Sequence, residues 1–130
     1  MEQYLENASL FVIRISPKGK VIKWTQPAER TLGVRIEDAK DKSLAETGIQ
    51  WDWKRVVDGL EQCIKEGVPA RIDNLRYNRV SEENRFLTLD MIPVHDETGH
   101  LSELQIIGCD ITEKKIFEVT QAEERKIQSL

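Results

Sequence analysis

The chain has 130 residues, of which 39% are hydrophobic and 32% charged, which predicts one soluble globular domain with a highly charged surface. A net charge of −4 argues against binding to a nucleic-acid backbone. No apolar run approaches the roughly 20 residues that span a membrane, and the N-terminus lacks the features of a signal peptide. The two cysteines are far apart and have no metal-ligand spacing, which favours a reduced, cytosolic location over a disulfide.

The first half of the chain alternates between strand and short helix patterns. Two β-rich runs on either side of the turn "PKGK" predict a hairpin over residues 10–25. The stretch "QPAERTLGV" predicts one or two helical turns that begin near Pro27 and stop at Gly33. The polar residues that follow predict short helices and loop.

The stretch "WDWKRVVDGLEQCIKEG" has the clearest helical pattern, with a stop at Gly67. Its predicted apolar face consists of Trp53, Val56, Val57, Leu60, Cys63 and Ile64. Three strands are predicted after it, "ARIDNLRYNRV", "RFLTLDMIPV" and "SELQIIGCDIT", separated by the turns "SEEN" and "HDETGHL". Pro93, near the end of the second run, predicts a strand edge or a bulge.

Strands on both sides of a helical middle predict an α+β fold with a five-stranded antiparallel sheet and helices packed on one face. The opposite face needs its own cover, because Phe86 and Ile92 alternate away from the core side. Either the leading segment "YLENASL" or a second subunit could provide that cover.

Four stretches in this order resemble the PAS domain family of sensory modules. "SPKGKVIKWTQPAERTLGV" is similar to the family's opening hairpin and the turn after it. "RFLTLDMIPVHDETG" is similar to the fourth strand and its turn, and "IIGCDITEKK" to the closing strand with its DIT signature. The long helix and "ARIDNLRYN" match by position and pattern. The matching residues are Gly19, Trp24, Ala28, Glu29, Leu32, Gly33, Pro93, Asp96, Gly99, Asp110, Ile111 and Thr112.

This likeness covers about residues 5–115, nearly the whole chain, with two departures from the family pattern. Thr25 stands where the family usually has Asn, and Pro27 stands where it usually has Ala. The resemblance implies a non-catalytic sensory or interaction domain of a signal-transduction protein, such as a histidine kinase. It implies that residues 1–112 form the sensor and that residues 113–130 form a connector helix leading to an effector domain in the same chain.

In the family, the DIT element ends the last strand of the sheet and leads directly into the outgoing helix. The resemblance therefore assigns signal relay to Asp110, Ile111 and Thr112. Asp and Thr suit such a junction because both cap helices by accepting bonds from exposed N–H groups. The simpler alternative is that these residues only cap the helix. Because the chain stops in the middle of a helical pattern, we expect it to be a fragment of a longer protein.

The tail has residues at four-three-four-three spacing: Ile116, Thr120, Glu123, Ile127 and Leu130. Three of the five are apolar, and the pattern is shorter than the three or four heptads that indicate a coiled coil. It fits either the contact line of a parallel homodimer, made by its three apolar residues, or a solvated helix.

A sheet face closed by a helix predicts an apolar cleft for a small ligand. Its predicted walls are Trp53, Val57, Leu60 and Ile64 from the helix and Leu87, Leu89, Met91 and Ile106 from the strands. Asn74 and Arg76 share a strand face with Ile72, so either could reach inward, although a surface ion pair is the alternative for Arg76. The alternative for the whole set is a filled core, in a dimerisation module that binds no ligand.

The sequence narrows the choice of cofactor but does not identify one. The long helix has no histidine, so the axial ligand of a haem-binding relative is missing, and Cys63 fits a buried, inert thiol. The reactive-cysteine motif of light-sensing flavin members is absent. Trp51 or Trp53 could stack on a non-covalent flavin, although such tryptophans more often anchor a helix. His95 and His100 flank a solvated turn and lack the spacing of metal ligands.

Catalysis is not expected from this chain. It has no Ser/His/Asp set, no Gly-rich phosphate loop and no paired inward carboxylates. Asp90 alternates away from the predicted cleft. Glu29 is expected either to pair with Lys23 or Arg30 or to remain an ordinary exposed acid.

Overall fold

A computed structural model describes residues 10–79 and 81–128 of the chain. Within these residues the chain forms six strands, four α-helices and one short 3-10 helix. In chain order they are β1 (Phe11–Ile15), β2 (Val21–Trp24), α1 (Gln26–Leu32), α2 (Ile36–Ala39), the 3-10 helix (Leu44–Thr47), β3 (Gln50–Trp51), α3 (Trp53–Glu66), β4 (Ala70–Arg79), β5 (Glu82–His95), β6 (Leu101–Asp110) and α4 (Thr112–Gln128).

The strands form one antiparallel sheet in the order β2-β1-β6-β5-β4-β3. The opening hairpin therefore lies beside the closing strand, with Phe11 opposite Gly108. The predicted α+β fold is confirmed, with one strand more than expected. The additional strand, β3, is two residues long and pairs Trp51 with Tyr77, and a strand this short leaves no periodic pattern in the sequence.

The inner face of the sheet forms the core together with the helices. Alternate residues of the three central strands are almost fully buried: Phe11, Ile13, Ile15, Leu87, Leu89, Met91, Leu104 and Ile106. Gly108 continues this inward set, because a side chain there would collide with the ring of Phe11. The alternation that the sequence predicted for β5 is therefore confirmed.

Helix α3 begins at Trp53, two residues after the start of the predicted stretch, and it ends as predicted, with Gly67 in the left-handed conformation at φ 67°. Its packed face is rotated from the predicted one and is centred on Gly59. A Cβ at Gly59 would lie 2.9 Å from the sulfur of Met91, so the absence of a side chain allows the helix to approach β5 closely. Val57 and Ile64 consequently point away and are 43% and 47% exposed. Their predicted place on the packed face is wrong.

A bulge in β4 changes which of its residues face inward. The register with β5 shifts between Ile72 and Leu75, and Asn74 has φ 55°. Ile72, Leu75 and Tyr77 are buried, whereas Asn74 and Arg76 are exposed. The expectation that either of the latter could reach inward is wrong, because an inserted residue reverses the alternation beyond it.

Two details of β5 refine its predicted bounds and pairing: where it begins and where Pro93 lies. Arg79 pairs with Glu82, so β5 begins inside the predicted "SEEN" turn, which is shorter than expected. Pro93 lies beyond Met91, where the pairing of β4 along β5 ends, and it pairs with Leu104 of β6. Among the described residues Pro93 therefore occupies a local strand edge, as predicted.

The opening hairpin and the short helices are confirmed, and Gly33 ends α1 at φ 73°. Glu29 pairs with neither Lys23 nor Arg30: its carboxylate accepts a hydrogen bond from the backbone N–H of Ile36 at 3.2 Å. It therefore satisfies an N–H at the start of α2.

Helix α4 begins directly after β6, and its first turns pass over part of the outer sheet face. The ammonium of Lys115 lies 4.3 Å from the ring centre of Phe86, which is half-buried. Part of the cover expected from another segment therefore comes from α4. Ile116 is 60% exposed. Ile127 lies within α4, but its side chain, the segment before Leu10 and Leu130 lie outside what the structure describes, so the predicted dimer contact stays a prediction.

Candidate functional site

The candidate site is the junction at which β6 ends and α4 begins. One oxygen of the Asp110 carboxylate, Oδ1, accepts the backbone N–H of Thr112 at 2.8 Å. The other oxygen, Oδ2, accepts the hydroxyl of Tyr77 and the Nε of Arg85, the latter at 2.9 Å. A single carboxylate thus connects the first turn of α4 to both β4 and β5.

The backbone of Phe86 in β5 holds the same junction from the other side. The N–H of Ile111 donates to the carbonyl of Phe86 at 2.8 Å, and the N–H of Phe86 donates to the hydroxyl of Thr112 at 2.9 Å. The expectation that both DIT polar residues cap the helix is therefore confirmed for Asp110 and wrong for Thr112. Thr112, which is 8% exposed, instead ties the helix start to a strand.

Three charged side chains extend the site away from Asp110. Arg85 also donates through Nη1 to Glu82 at 2.6 Å, and Glu82 accepts from Nη2 of Arg79 at 2.7 Å. The guanidinium of Arg79 reaches the carbonyl of Arg30, at the end of α1, at 2.9 Å. We call this set the junction network; its members are Tyr77, Arg79, Glu82, Arg85 and Asp110.

The surroundings of Asp110, Tyr77 and Glu82 shift the pKa of each of these three groups. Burial by itself would raise the pKa of Asp110, but hydrogen bonds from Tyr77, Thr112 and Arg85 outweigh it and hold that pKa below its usual value. Burial, together with the bond to Asp110, raises the pKa of Tyr77. The hydrogen bond from Arg79 lowers the pKa of Glu82. At neutral pH the junction network therefore holds two carboxylates, two guanidinium groups and a protonated phenol.

Sequence reasoning found Asp110, Ile111 and Thr112 but missed the other members of the network. Arg79, Glu82 and Arg85 stand near the predicted "SEEN" turn, where charges are usually solvated. Tyr77 lies 33 residues before Asp110 in the chain, and Arg85 lies 25 residues before it. Only the strand register brings these groups together, and no local pattern reports that register.

The residues predicted to line the apolar cleft lie in three different places. Leu87, Leu89, Met91 and Ile106 are 0% exposed in the core, and Trp53 and Leu60 pack against it. Val57 and Ile64 are exposed on the outer side of α3, and Asn74 and Arg76 are exposed on β4. The structure thus brings together the strand residues and two of the four helix residues.

The thiol of Cys63 has the features expected of an inert group. It is fully buried and lies 3.4 Å from the carbonyl of Met91. Burial raises its pKa, so the reactive thiolate is disfavoured. Cys109 is half-buried, and both cysteines are unpaired.

Two tryptophans lie together at the start of α3. Their rings meet edge to face, with centres 5.3 Å apart. The indole N–H of Trp53 donates to the carbonyl of Ile49 at 3.1 Å and so anchors the helix. The indole N–H of Trp51 is buried and has no acceptor among the described residues. A buried donor without a partner costs about 1–3 kcal/mol and requires an explanation.

Two grooves open near the sheet, and each takes in a residue that had been expected to face inward. Asn74 borders a groove of about 370 Å³ together with Thr88, Cys109, Ile111 and the first turns of α4. Arg76 borders a groove of about 420 Å³ beside β3. Within the described part of the chain no cluster of three or more potential metal ligands occurs, and His95 and His100 lie on an exposed turn.

The family model described as the PAS fold matches residues 1–111 of the chain. The chain therefore belongs to the PAS family, whose domains are sensory modules rather than enzymes. It is 22% identical over 120 residues to phytochrome D of Arabidopsis thaliana, an alignment that covers 89% of this chain and 10% of that protein. The chain thus spans about a tenth of the length of that curated relative.

Solved structures with the same fold come from several sensor proteins. One is a domain assigned to a light and redox sensing histidine kinase of Haloarcula marismortui, with a TM-score of 0.70, 15% identity, and coverage of 85% of this chain and 97% of that one. Another is a sensory box histidine kinase/response regulator of Burkholderia thailandensis, with a TM-score of 0.69, 15% identity, and coverage of 99% and 98%. At this identity the likeness establishes the fold.

None of the helices in the described residues is long and apolar enough to cross a membrane.

Proposed function

We propose that this chain is the sensory domain of a signal-transduction protein, a histidine kinase, which binds a small ligand on the inner sheet face and relays its presence through α4. In this proposal residues 1–112 are the sensor and residues 113–130 connect it to an effector in the same chain. The observation that carries the proposal is the Asp110 carboxylate, which bonds both to the sheet and to the first turn of the outgoing helix. Two unpaired cysteines support a cytoplasmic location.

The relay needs two arrangements of the junction that differ in free energy by a few kcal/mol. In the observed arrangement Asp110 holds the N–H of Thr112, and Phe86 brackets Ile111 and Thr112 from β5. A ligand that moves β4 or β5 changes the distances from Tyr77 and Arg85 to Asp110. The first turn of α4 then loses its acceptor and rotates or frays.

The indole N–H of Trp51 supports a ligand on the inner face. It is buried in the core without an acceptor in the described part of the chain, and a ligand oxygen or ring nitrogen would satisfy it. Trp53 lies beside it and adds an aromatic edge. These residues favour a ligand that carries a hydrogen-bond acceptor on an apolar or aromatic body.

A thermal-shift screen of the 130-residue chain against a metabolite panel, with flavin mononucleotide included, tests ligand binding. A compound at 100 times its Kd raises the stability by about 2.7 kcal/mol, and calorimetry then gives its affinity. We expect Trp51→Phe, which removes the N–H and keeps an aromatic ring, to weaken that affinity about tenfold. A panel without any stabilising compound, or equal binding by the variant, would contradict an inner-face site at Trp51.

The relay is tested by hydrogen exchange of the backbone amides at residues 112–118, with and without the compound found. We expect the compound to change exchange at Thr112 and Lys115 by about tenfold, because their N–H groups bond to Asp110 and Ile111. Exchange that changes only beside the ligand would contradict a relay through α4.

A second candidate function is homodimerisation without a ligand, and the exposed apolar residues of α4 favour it. Ile116 and Phe117 are adjacent and are 60% and 63% exposed. Sedimentation measures the dimer constant of the chain and of the double variant Ile116→Ala/Phe117→Ala. The control is Ile22→Ala on β2, where the side chain is 48% exposed. Loss of a dimer in the double variant alone supports this candidate, and a monomeric wild-type chain contradicts it.

A further inference from the structure

The guanidinium of Arg79 joins a helix end to a carboxylate. Its Nη1 donates to the carbonyls of Arg30 and Thr31 at 2.9 and 3.2 Å. Its Nη2 and Nε donate to Glu82 at 2.7 and 3.2 Å. The last carbonyls of a helix have no partners within the helix, so a side chain from a distant strand supplies partners for the end of α1.

Glu82 stands between two cations. Its Oε2 atom accepts from Arg79 and also from Nη1 of Arg85 at 2.6 Å. Arg85 in turn places its Nε on Asp110 at 2.9 Å. Both arginines therefore donate to one oxygen of Glu82, and Arg85 bonds to two carboxylates through different nitrogens.

We propose that Arg79, Glu82 and Arg85 form a coupling bridge, through which a displacement of the end of α1 changes the hold of Asp110 on the first turn of α4. This inference rests on the proposed function, because it names a route into the same relay. When Arg79 withdraws with the end of α1, Glu82 attracts Arg85 more strongly. Arg85 then leaves Asp110, and the contact between Asp110 and Thr112 weakens.

The end of α1 is packed so that its movement reaches Arg79. Gly33 follows α1 with φ 73°, and a Cβ there would contact the Cβ of Arg79 at 3.5 Å. The next residue, Val34, accepts the indole N–H of Trp24 from β2 at 3.0 Å. The segment after α1 is thus held between the opening hairpin and Arg79.

The test uses Arg79→Lys in the 130-residue chain without ligand. Lysine keeps the positive charge but lacks the fork that contacts both Glu82 and the α1 carbonyls. We expect the amide of Thr112 to exchange about tenfold faster in this variant, because a hydrogen bond to a charged group is weakened. The matched control is Arg14→Lys, since Arg14 makes a similar two-atom ion pair with Glu103, near the other end of β6 from Asp110; it leaves Thr112 unchanged.

A double-mutant cycle with Asp110→Asn separates coupling from a general loss of stability. If the bridge acts through Asp110, Arg79→Lys accelerates exchange at Thr112 in the wild-type background and adds nothing in the Asp110→Asn background. The amide of Ile13 in β1 reports global unfolding and should exchange at the same rate in the wild-type chain and in Arg79→Lys. Equal acceleration at Ile13 and Thr112, additive effects in the cycle, or no effect at Thr112 would each overturn the bridge.

Glu82→Gln is the second variant, for use if Arg79→Lys lowers the yield of folded protein. Its side chain is 40% exposed, and the neutral amide keeps the shape while removing the charge between the arginines. Because the charge that draws Arg85 away from Asp110 is gone, exchange at Thr112 should not accelerate in this variant, and an acceleration there would overturn the bridge. If the test contradicts the bridge but a ligand still alters exchange in α4, the proposed function stands. If the cycle supports the bridge but the ligand does not alter exchange in α4, only the proposed relay is refuted.

Discussion

The middle of the sheet and its exit into α4 are held together by different kinds of interaction. In the middle, Leu87, Leu89, Met91 and Ile106 are fully buried among apolar neighbours. At the exit, Tyr77, Arg85 and Asp110 meet through directed hydrogen bonds. Apolar packing is non-directional and is shared by many contacts. The exit depends on a few atoms, so a small displacement there changes it more than the same displacement changes the core.

Loss of core packing is expected to have the largest effect. Leu89→Ala should lower the free energy of unfolding by about 3 kcal/mol, because it removes buried methyl groups and leaves a cavity. Urea unfolding measures the change. Ile22→Ala, a substitution of an exposed apolar residue on β2, is the control and should change stability by less than about 1 kcal/mol. A similar loss in both variants would contradict the assignment of the core.

Neutralising the junction carboxylate should have the next largest effect. Asp110→Asn keeps the shape but weakens the bonds from Arg85, Tyr77 and Thr112, and we expect a loss of about 2 kcal/mol. Exchange at Thr112 should increase more than exchange in β1. Asp58→Asn, at an exposed position on α3, is the matched control and should leave both unchanged. Equal changes in exchange at both places would show that Asp110 serves the whole fold rather than the exit.

Acid should weaken the exit before it affects the apolar core. The pKa of Asp110 is lower in the folded chain than in the unfolded chain, so its contribution to stability is complete above the unfolded value, about 3.9, and is lost as the pH falls through the folded value. Wild-type stability should therefore fall more steeply with decreasing pH below about 4 than that of Asp110→Asn. Urea titrations at several pH values measure the two slopes. Parallel slopes would contradict the depressed pKa.

The smallest expected effect tests the phenol alone. Tyr77→Phe keeps the buried ring, which is 1% exposed, and removes the hydroxyl that donates to Asp110. We expect a loss of about 1 kcal/mol, together with a rise in the pKa of Asp110, since one hydrogen bond to its charged form disappears. Urea unfolding measures the loss, and carbon NMR of the carboxyl measures the pKa. An unchanged pKa would contradict the direct bond.

Much of the fold follows from local patterns in the sequence. The alternation of Leu87, Leu89 and Met91 correctly predicted the inward face of β5. Gly33 and Gly67 correctly predicted the ends of α1 and α3. Both signals arise within a few residues, because strand alternation and the left-handed ends of helices are properties of adjacent backbone units.

The errors arose where a neighbouring element decided the outcome. Gly59, rather than Val57 or Ile64, faces the sheet, because only a residue without a side chain leaves room for the close contact with Met91. The bulge at Asn74 turns Arg76 outward, and two hydrogen bonds from Arg55 of α3 to the carbonyls of Asp73 and Asn74, at 2.7 and 3.0 Å, hold that bulge. Periodicity reports which residues share a face, but it does not report where an extra residue is inserted.

The sequence by itself determined the order of the elements other than β3, the inward alternation of β5 and the position of the Asp110–Thr112 junction. The tertiary structure alone decided that Tyr77, Arg85 and Glu82 would gather at that junction. The physical reason is the range of the forces involved. Helix and strand preferences act over a few residues, whereas a charged network forms only after distant strands have paired in one register.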